Sequence, residues 1–364
     1  MRTIDNGIEQ VGKRPVGKLD PPVRAALRLG AYQLAYSDVA AHAAVNESVE
    51  LVRAAGLERA VKFTNAVMRR LALGVGELVE SLPEGTAAEA ALKHSYPDWV
   101  AQVWWRDFGR DEALALMCAQ NEAPETVVRL NTLRRGQVAG VPDQEIPGAL
   151  HVERVEDRDV AVGSVWPQSR GSQLAGLAVG TQEGERVLDL CAAPGGKTTQ
   201  LAEAAAEVIA VERHEGRARE LEQNCERLGA TNVRVVHADA LELPDDLADF
   251  DRVLVDAPCS GLGVLANRPD LRWRAEPLPE LQLELLRAAA ERIHPGGVVT
   301  YSVCTINADE NEGVVDASGL EPESPLGREW PRFAHPTRPE FLLTLPHRHH
   351  TSGFFVARLR KSAA

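Results

Sequence analysis

The chain has 364 residues, 44% of them apolar, and carries a formal net charge of −13. That length fits two or three domains, and no run of 18 or more apolar residues offers a membrane span. The opening stretch "MRTIDNGIEQVGKRP" lacks an apolar signal core, which argues against secretion. The acidic balance lowers the prior for a nucleic-acid partner, but it is uneven. Residues 200–251 hold 13 acidic and 5 basic side chains, whereas residues 1–36 hold 6 basic and 3 acidic ones. A locally basic face on an acidic protein can still bind phosphates.

Residues 20–73 read as helices. "DPPVRAALRLGAYQLAY" places Asp20 as a cap ahead of prolines in a first turn. Its apolar residues Val23, Ala26, Leu27, Gly30 and Leu34 recur at helical spacing. "AAVNESVELVRAAG" repeats the pattern and stops at Gly56, and "RAVKFTNAVMRRLAL" makes a third helix. Residues 87–120 are helical again, with one helix starting after Pro97. From about 124 to 165 the texture changes to the short β-like runs "ETVVRLNTL", "GALHVERV" and "DVAVGSVW".

After Gln168 strands and helices alternate. "RVLDLCAAPGGKTTQLAEAAAE" is strand, glycine turn and helix. "VIAVERHEGRARELEQNCERLGA" is a strand and a helix closing at Gly229. "NVRVVHADAL" and "FDRVLVDAP" are strands, and "PLPELQLELLRAAAERIHPGG" is a helix reaching Gly296 and Gly297. "VVTYSV" and "GFFVARLRK" are the last strands. Such alternation predicts a doubly wound, mostly parallel sheet with helices on both faces. Ligands in such sheets sit beyond the C-terminal strand ends.

The chemistry-bearing residues fall at those ends. Gly195 and Gly196 allow a tight turn and close backbone approach, though the pattern is neither a dinucleotide fingerprint nor a Walker loop. Glu212 ends the second strand at the distance where an acid accepts from ribose hydroxyls. Asp239 follows the third strand and is placed to receive an adenine amino group. Asp256 ends the fourth. Acids after successive strands fit a ligand with a ribose, a base and a cationic part, which is the profile of S-adenosylmethionine.

Five cysteines occur, with no Cys-x-x-Cys pair, so no zinc site is expected and the thiols are expected to be reduced, in the cytosol. Cys118 and Cys225 lie in helical patterns and are assigned to packing. Cys259 and Cys304 stand at strand ends. A thiolate adding to carbon 6 of cytosine makes carbon 5 nucleophilic enough to take an electrophilic methyl group. An acid at ring nitrogen 3 stabilises the adduct, and a base removes the carbon-5 proton. Cys259, Cys304 and Asp256 together meet that need, and the residues alone leave open which thiol attacks.

The segments "LDLCAAPGGKTTQLAE", "VLVDAPCSGLGVLANRPDLRWR", "TYSVCTINADENEGVV" and "LPHRHHTSGFFVARLRK" closely resemble the bacterial RNA 5-methylcytosine methyltransferases. Residues 23–71 resemble a NusB-type helical domain, which points to the subgroup acting on small-subunit ribosomal RNA. The resemblance implies a NusB-like all-α domain over 1–80, a helical and α+β connector over 87–165, and an α/β Rossmann-like class I methyltransferase domain over 166–364. It implies that Cys191, Ala192, Ala193, Pro194, Gly195, Gly196, Lys197, Glu212, Asp239 and Asp256 bind S-adenosylmethionine. It further implies that Cys304 is the nucleophile and that Cys259 assists product release, with Asp256 touching cofactor and base. Arg268, Arg272, Trp273 and Arg274 are expected to line the RNA path by charge and stacking.

Two departures stand out. The family's nucleophile usually follows threonine, whereas Val303 precedes Cys304 here, so a hydroxyl contact is lost while the thiol remains. The family also has another helix or two ahead of the segment beginning at Asp20. Only "MRTIDNGIEQVGKRPVGK" stands there, so a truncated helical domain or a misplaced start is expected. The leading expectation is methylation of carbon 5 of a cytosine in 16S rRNA, by a cytoplasmic monomer with no metal ion and no membrane. The alternatives are a tRNA cytosine-5 methyltransferase, a non-catalytic RNA-binding or ribosome-assembly factor, and a DNA cytosine methyltransferase in which Cys259 would attack. "DAPC" is not the tetrad of an exocyclic-amino methyltransferase.

Overall fold

The structure is a computed structural model that describes residues 1–134, 136 and 138–361. Contacts divide the chain into two compact units, residues 1–117 and 118–364. The division falls inside the segment 87–165 read as a connector. Its helices ahead of residue 120 lie almost wholly in the first unit, and its strands lie in the second.

The first unit is helical, with α1 (Arg2–Gly12), α2 (Pro21–Tyr36), α3 (Ala41–Ala54), α4 (Glu58–Leu71), α5 (Val75–Glu80), α6 (Ala87–Lys93), α7 (Asp98–Phe108) and the start of α8 (Arg110–Ala119). Leu27, Ala31, Val52, Met68 and Leu71 form the centre of its core. Gly30 lets α2 approach its neighbours, because a Cβ there would stand 2.1 Å from Ser48 Oγ and 2.5 Å from Met68 Cε. Asp20 sits at the N-cap of α2, but its side chain makes no cap hydrogen bond and instead lies 3.2 Å from Arg59. The stretch ahead of Asp20, read without a helix, forms α1. Ile4 and Ile8, one helical turn apart, enter the same core. Thr3 Oγ1 donates to the Leu92 carbonyl at 2.7 Å, and Arg28 grips Asp5 through two hydrogen bonds.

The second unit opens with a small antiparallel sheet of β1 (Val127–Leu130), β2 (Val141–Pro142), β3 (Ala149–His151) and β4 (Val165–Pro167), in the order β2-β3-β1-β4. The run "DVAVGSVW" is not a strand throughout. Asp157–Ala161 forms a short helix, α9, with Asp157 and Asp159 in its first turn. Gly163, at φ 77°, lets the chain turn away before β4 begins. Buried Arg129 on β1 ties this sheet to the remainder of the unit. Its guanidinium donates to Gln168 Oε1 at 3.1 Å and Thr199 Oγ1 at 2.8 Å, and pairs with Glu203.

After α10 (Arg170–Ala178) the chain builds the main sheet from β5 (Arg186–Asp189), β6 (Glu207–Glu212), β7 (Val233–His237), β8 (Phe250–Asp256), β9 (Ile293–Val303), β10 (Glu321–Pro322), β11 (Leu342–Thr344) and β12 (Phe354–Arg360). The order is β10-β12-β9-β8-β5-β6-β7, with β11 also pairing β12. Pairings among β5 to β9 are parallel, and β12 runs antiparallel to β9. Helices α11 (Gly196–Leu201), α12 (Glu215–Leu228), α13 (Pro279–Arg292) and α14 (Glu312–Ser318) make the crossovers and flanks. The chain winds outward from β5 to β7, then returns to β8 on the other side of β5. The switch point therefore lies between β5 and β8, where ligands of such sheets bind. One boundary differs from the sequence reading. Helix α13 ends at Arg292, not at the glycine pair, because Pro295 lacks a donor for the helix and drives His294 toward extended backbone.

Candidate functional site

The turn from β5 to α11 carries the glycine pair. Gly195 has a φ of 108°, a region that side chains disfavour, and a Cβ there would lie 2.8 Å from Leu221. Two cavities open beside this turn. The first, about 510 Å³, is bordered by Cys191, Glu212, Asp239, Asp256, Pro258 and Leu278. The three strand-end acids named from the sequence thus share one chamber. Glu212 is buried, its Oε1 accepts from the His214 amide at 2.9 Å, and Arg217 stands 3.5 Å from Oε2. Asp239 Oδ1 accepts from the Leu241 amide at 3.0 Å.

The second cavity, about 520 Å³, is bordered by Trp166, Asp189, Lys197, Asp256, Arg268 and Cys304, among others. Cys191, Ala193 and Asp256 border both chambers. The turn expected to hold one ligand is therefore shared out. Ala192, Pro194, Gly196 and Lys197 face the chamber with Cys304, and Gly195 borders neither. Lys197 Nζ donates to Asp256 Oδ2 at 2.8 Å and lies 4.8 Å from the centre of the Phe354 ring. Ser302 Oγ donates to the other Asp256 oxygen at 3.1 Å. Asp189, at the end of β5, is 1% exposed and accepts from Thr198 Oγ1 at 2.8 Å. Burial pushes its carboxyl up to about 7, with the neighbouring Asp256 charge acting the same way.

The two strand-end cysteines meet. Cys259 follows β8, Cys304 follows β9, and their sulfurs lie 3.4 Å apart. The pairing of Asp256 with Ser302 in the β8–β9 ladder sets both segments side by side. The hydrogen bond from the Cys259 thiol draws the Cys304 thiol below its ordinary value, and the Lys197 charge adds to this against burial and Asp256. The same contact, with burial, holds the Cys259 thiol well above its ordinary value. Of the two, Cys304 is the more acidic thiol and Cys259 is the one placed to donate to it.

The expected RNA-path residues separate. Arg268 borders the second cavity and forms two 3.1 Å hydrogen bonds to Asp270. Trp273 is half exposed, and Arg274 is exposed and 3.7 Å from Asp270. Arg272 is committed elsewhere, donating to Asn121 Oδ1 at 2.9 Å and to the Gln120 carbonyl at 3.3 Å. Of the two cysteines assigned to packing, Cys225 is buried in α12, whereas Cys118 is exposed. Sequence reading missed Trp166 at the cavity wall and the buried Glu310 behind the thiols. The run "DENEG" offers no local signal for the latter, since neighbouring acids there look alike.

A doubly wound sheet with an antiparallel β12, and a glycine turn facing carboxylates at the switch point, define a class I methyltransferase fold. The first chamber has the size of a small-ligand site, and its acids suit the hydroxyls, amino groups and positive charge of S-adenosylmethionine. Residues 177–360 match the model of the family described as 16S rRNA methyltransferase RsmB/F, and residues 1–73 match that of the NusB family. The chain belongs to the RsmB/F methyltransferases. It is similar to the probable ribosomal RNA small subunit methyltransferase B of Synechocystis sp., at 34% identity over 400 residues, covering 99% of this chain and 88% of that protein. Likeness to the Bacillus subtilis protein of the same description is 30%, covering 94% and 84%. The crystal structure of PH0851 superposes with a TM-score of 0.79 at 26% identity, covering 98% of this chain and 86% of that one. The protein is accordingly an RNA methyltransferase that uses S-adenosylmethionine.

Proposed function

We propose that the protein methylates carbon 5 of a cytosine in 16S rRNA through a covalent adduct with Cys304. The observation that carries this reading is the thiol pair, 3.4 Å apart and beside the Lys197–Asp256 pair. The names of the relatives support ribosomal RNA as substrate. Glu212, Asp239 and Asp256 would hold S-adenosylmethionine in the first chamber, together with Cys191 and Ala193. When bound, it supplies an electrophilic methyl group.

The chain's own residues do the rest. The Cys304 thiolate adds to carbon 6 of a cytosine lying in the second chamber. Negative charge then develops on the ring, and a proton relayed from the Lys197 ammonium through Asp256 to nitrogen 3 neutralises it, returning by the same route when the C6–S bond breaks. Carbon 5 becomes the nucleophile and takes the methyl group. Cys259 has until now been held protonated by its hydrogen bond to Cys304 and by that neighbour's charge. Both causes vanish once Cys304 is a thioether, leaving burial and the Glu310 charge as what still favours the thiol. With that hydrogen bond gone, Cys259 gives its proton to solvent and as a thiolate removes the carbon-5 proton, whereupon the C6–S bond breaks and the Cys304 thiolate returns. The pair thus contains its own order of events.

The test separates the thiols. Cys304→Ala should form no adduct and show no activity. Cys259→Ala should add and methylate but fail to release, so it accumulates as an enzyme–RNA species that survives denaturing electrophoresis. An adduct in Cys304→Ala and none in Cys259→Ala would reverse the roles. Full activity in both variants would remove covalent catalysis altogether.

A further inference from the structure

Behind the thiol pair sits a carboxylate that no step above uses. Glu310 lies just ahead of α14, with no exposed surface. Its Oε1 accepts from the Ser260 amide at 2.9 Å, Gln282 Nε2 at 2.9 Å and the Leu278 amide at 3.2 Å. Its Oε2 accepts from Thr305 Oγ1 and Asn307 Nδ2, each at 3.3 Å, and from Ser260 Oγ. Tyr301 Oη fixes the Glu310 carbonyl at 2.7 Å.

The addresses of these donors matter. Ser260 is the residue after Cys259, and Thr305 is the residue after Cys304. Ser260 Oγ and Thr305 Oγ1 also meet directly at 2.8 Å. Gln282 reaches from α13 to the Pro258 carbonyl at 2.9 Å, just ahead of Cys259. One buried group therefore binds the backbone or side chain next to each cysteine. No salt bridge to Glu310 occurs among the described residues, so its six donors are all neutral. A carboxylate buried at such desolvation cost is retained by a full set of donors, and these donors come chiefly from the two loops whose spacing the chemistry needs.

We infer that Glu310 is a positioning residue that sets the separation of Cys259 and Cys304 by tying the loop after β8 to the loop after β9. The inference rests on the two-thiol reading above. Its consequence is that the Cys259 thiol can donate to Cys304 only while Glu310 holds Ser260 and Thr305 together. The charged groups facing Cys304 are Lys197, Asp256 and Arg268, with Cys259 as its hydrogen-bonding partner. None of these is a partner of Glu310 itself. Cys259 is faced by Cys304, by the Glu310 charge and by Tyr301.

The experiment measures the rate of iodoacetamide alkylation of Cys304 against pH, located by peptide mass spectrometry, in the full-length protein. Cys259→Ala should raise the midpoint by about one pH unit, a tenfold loss of thiolate at fixed pH. Glu310→Gln should raise it most of that distance, because the loops separate. The sign is diagnostic. Removing a nearby negative charge would by itself lower a thiol midpoint, so an upward shift reports geometry. Ser260→Ala, which keeps the amide bond and loses the hydroxyl, should shift it upward by less, and it decides the matter if Glu310→Gln does not fold. Midpoints at or below wild type in Glu310→Gln and Ser260→Ala, with Cys259→Ala shifted, would overturn the positioning role alone. No shift in Cys259→Ala would instead sink the two-thiol reading, and this inference with it.

Discussion

Glu212 ends β6, its side chain is buried, and its carboxylate borders the chamber that Asp239 and Asp256 also border. Strand ends are legible in sequence because an apolar run stops there, and the fold rule then assigns them to the ligand side of the sheet. That is why the acids and both cysteines could be named from the sequence alone. Glu310 could not be, because its importance lies in six donors drawn from three separate stretches of chain. Nor could the commitment of Arg272 to Gln120 and Asn121, a contact across about 150 residues of chain. If Glu212 holds the ribose, Glu212→Ala should weaken S-adenosylmethionine binding by roughly 1–3 kcal/mol, the cost of an unpaired buried polar contact. Calorimetry should register this, and unchanged affinity would remove Glu212 from the site.

Elements were legible wherever periodicity and punctuation agreed. Strands β5 to β9 and helices α2 to α4 carry both signals. The misreadings occur where they conflict. "DVAVG" has strand-like residues but acidic helix-start chemistry, and the helix won. The stretch "MRTIDNGIEQVG" carries only two strong apolar residues on its buried face, too few to stand out, yet both are almost fully buried. Helix formation there depends on packing more than on propensity. Ile8 is 1% exposed, so Ile8→Ala should cost about 2–5 kcal/mol in the helical unit. Amide hydrogen exchange in α2 and α4 should accelerate accordingly. Exchange unchanged in those helices would mean that α1 contributes little to their stability.

At the scale of the molecule, a net charge of −13 and an RNA substrate must coexist. Attraction to phosphates is local, since charges farther than a Debye length are screened at physiological salt. RNA affinity should therefore fall about tenfold or more between about 50 and 200 mM salt if about three phosphates are held. Arg268→Ala and Arg274→Ala should flatten that slope, because both side chains stand at the surface. Arg272→Ala should leave the slope alone and lower stability, because its guanidinium is engaged by Gln120 and Asn121. A salt-independent affinity would mean that the proposed basic path is not the route of the RNA.

Asp256 belongs to the walls of both chambers, and its two oxygens are already engaged by Lys197 and Ser302. A partition of this kind makes the chambers thermodynamic neighbours. Whatever reorients the carboxylate from one side changes what the other side meets. Linkage then requires the influence to run equally in both directions. Methyl donor and nucleotide should each alter the other's dissociation constant by the same factor, and Asp256→Asn should bring that factor toward one. Binding isotherms for either ligand, taken with and without the other, contain the whole of this coupling.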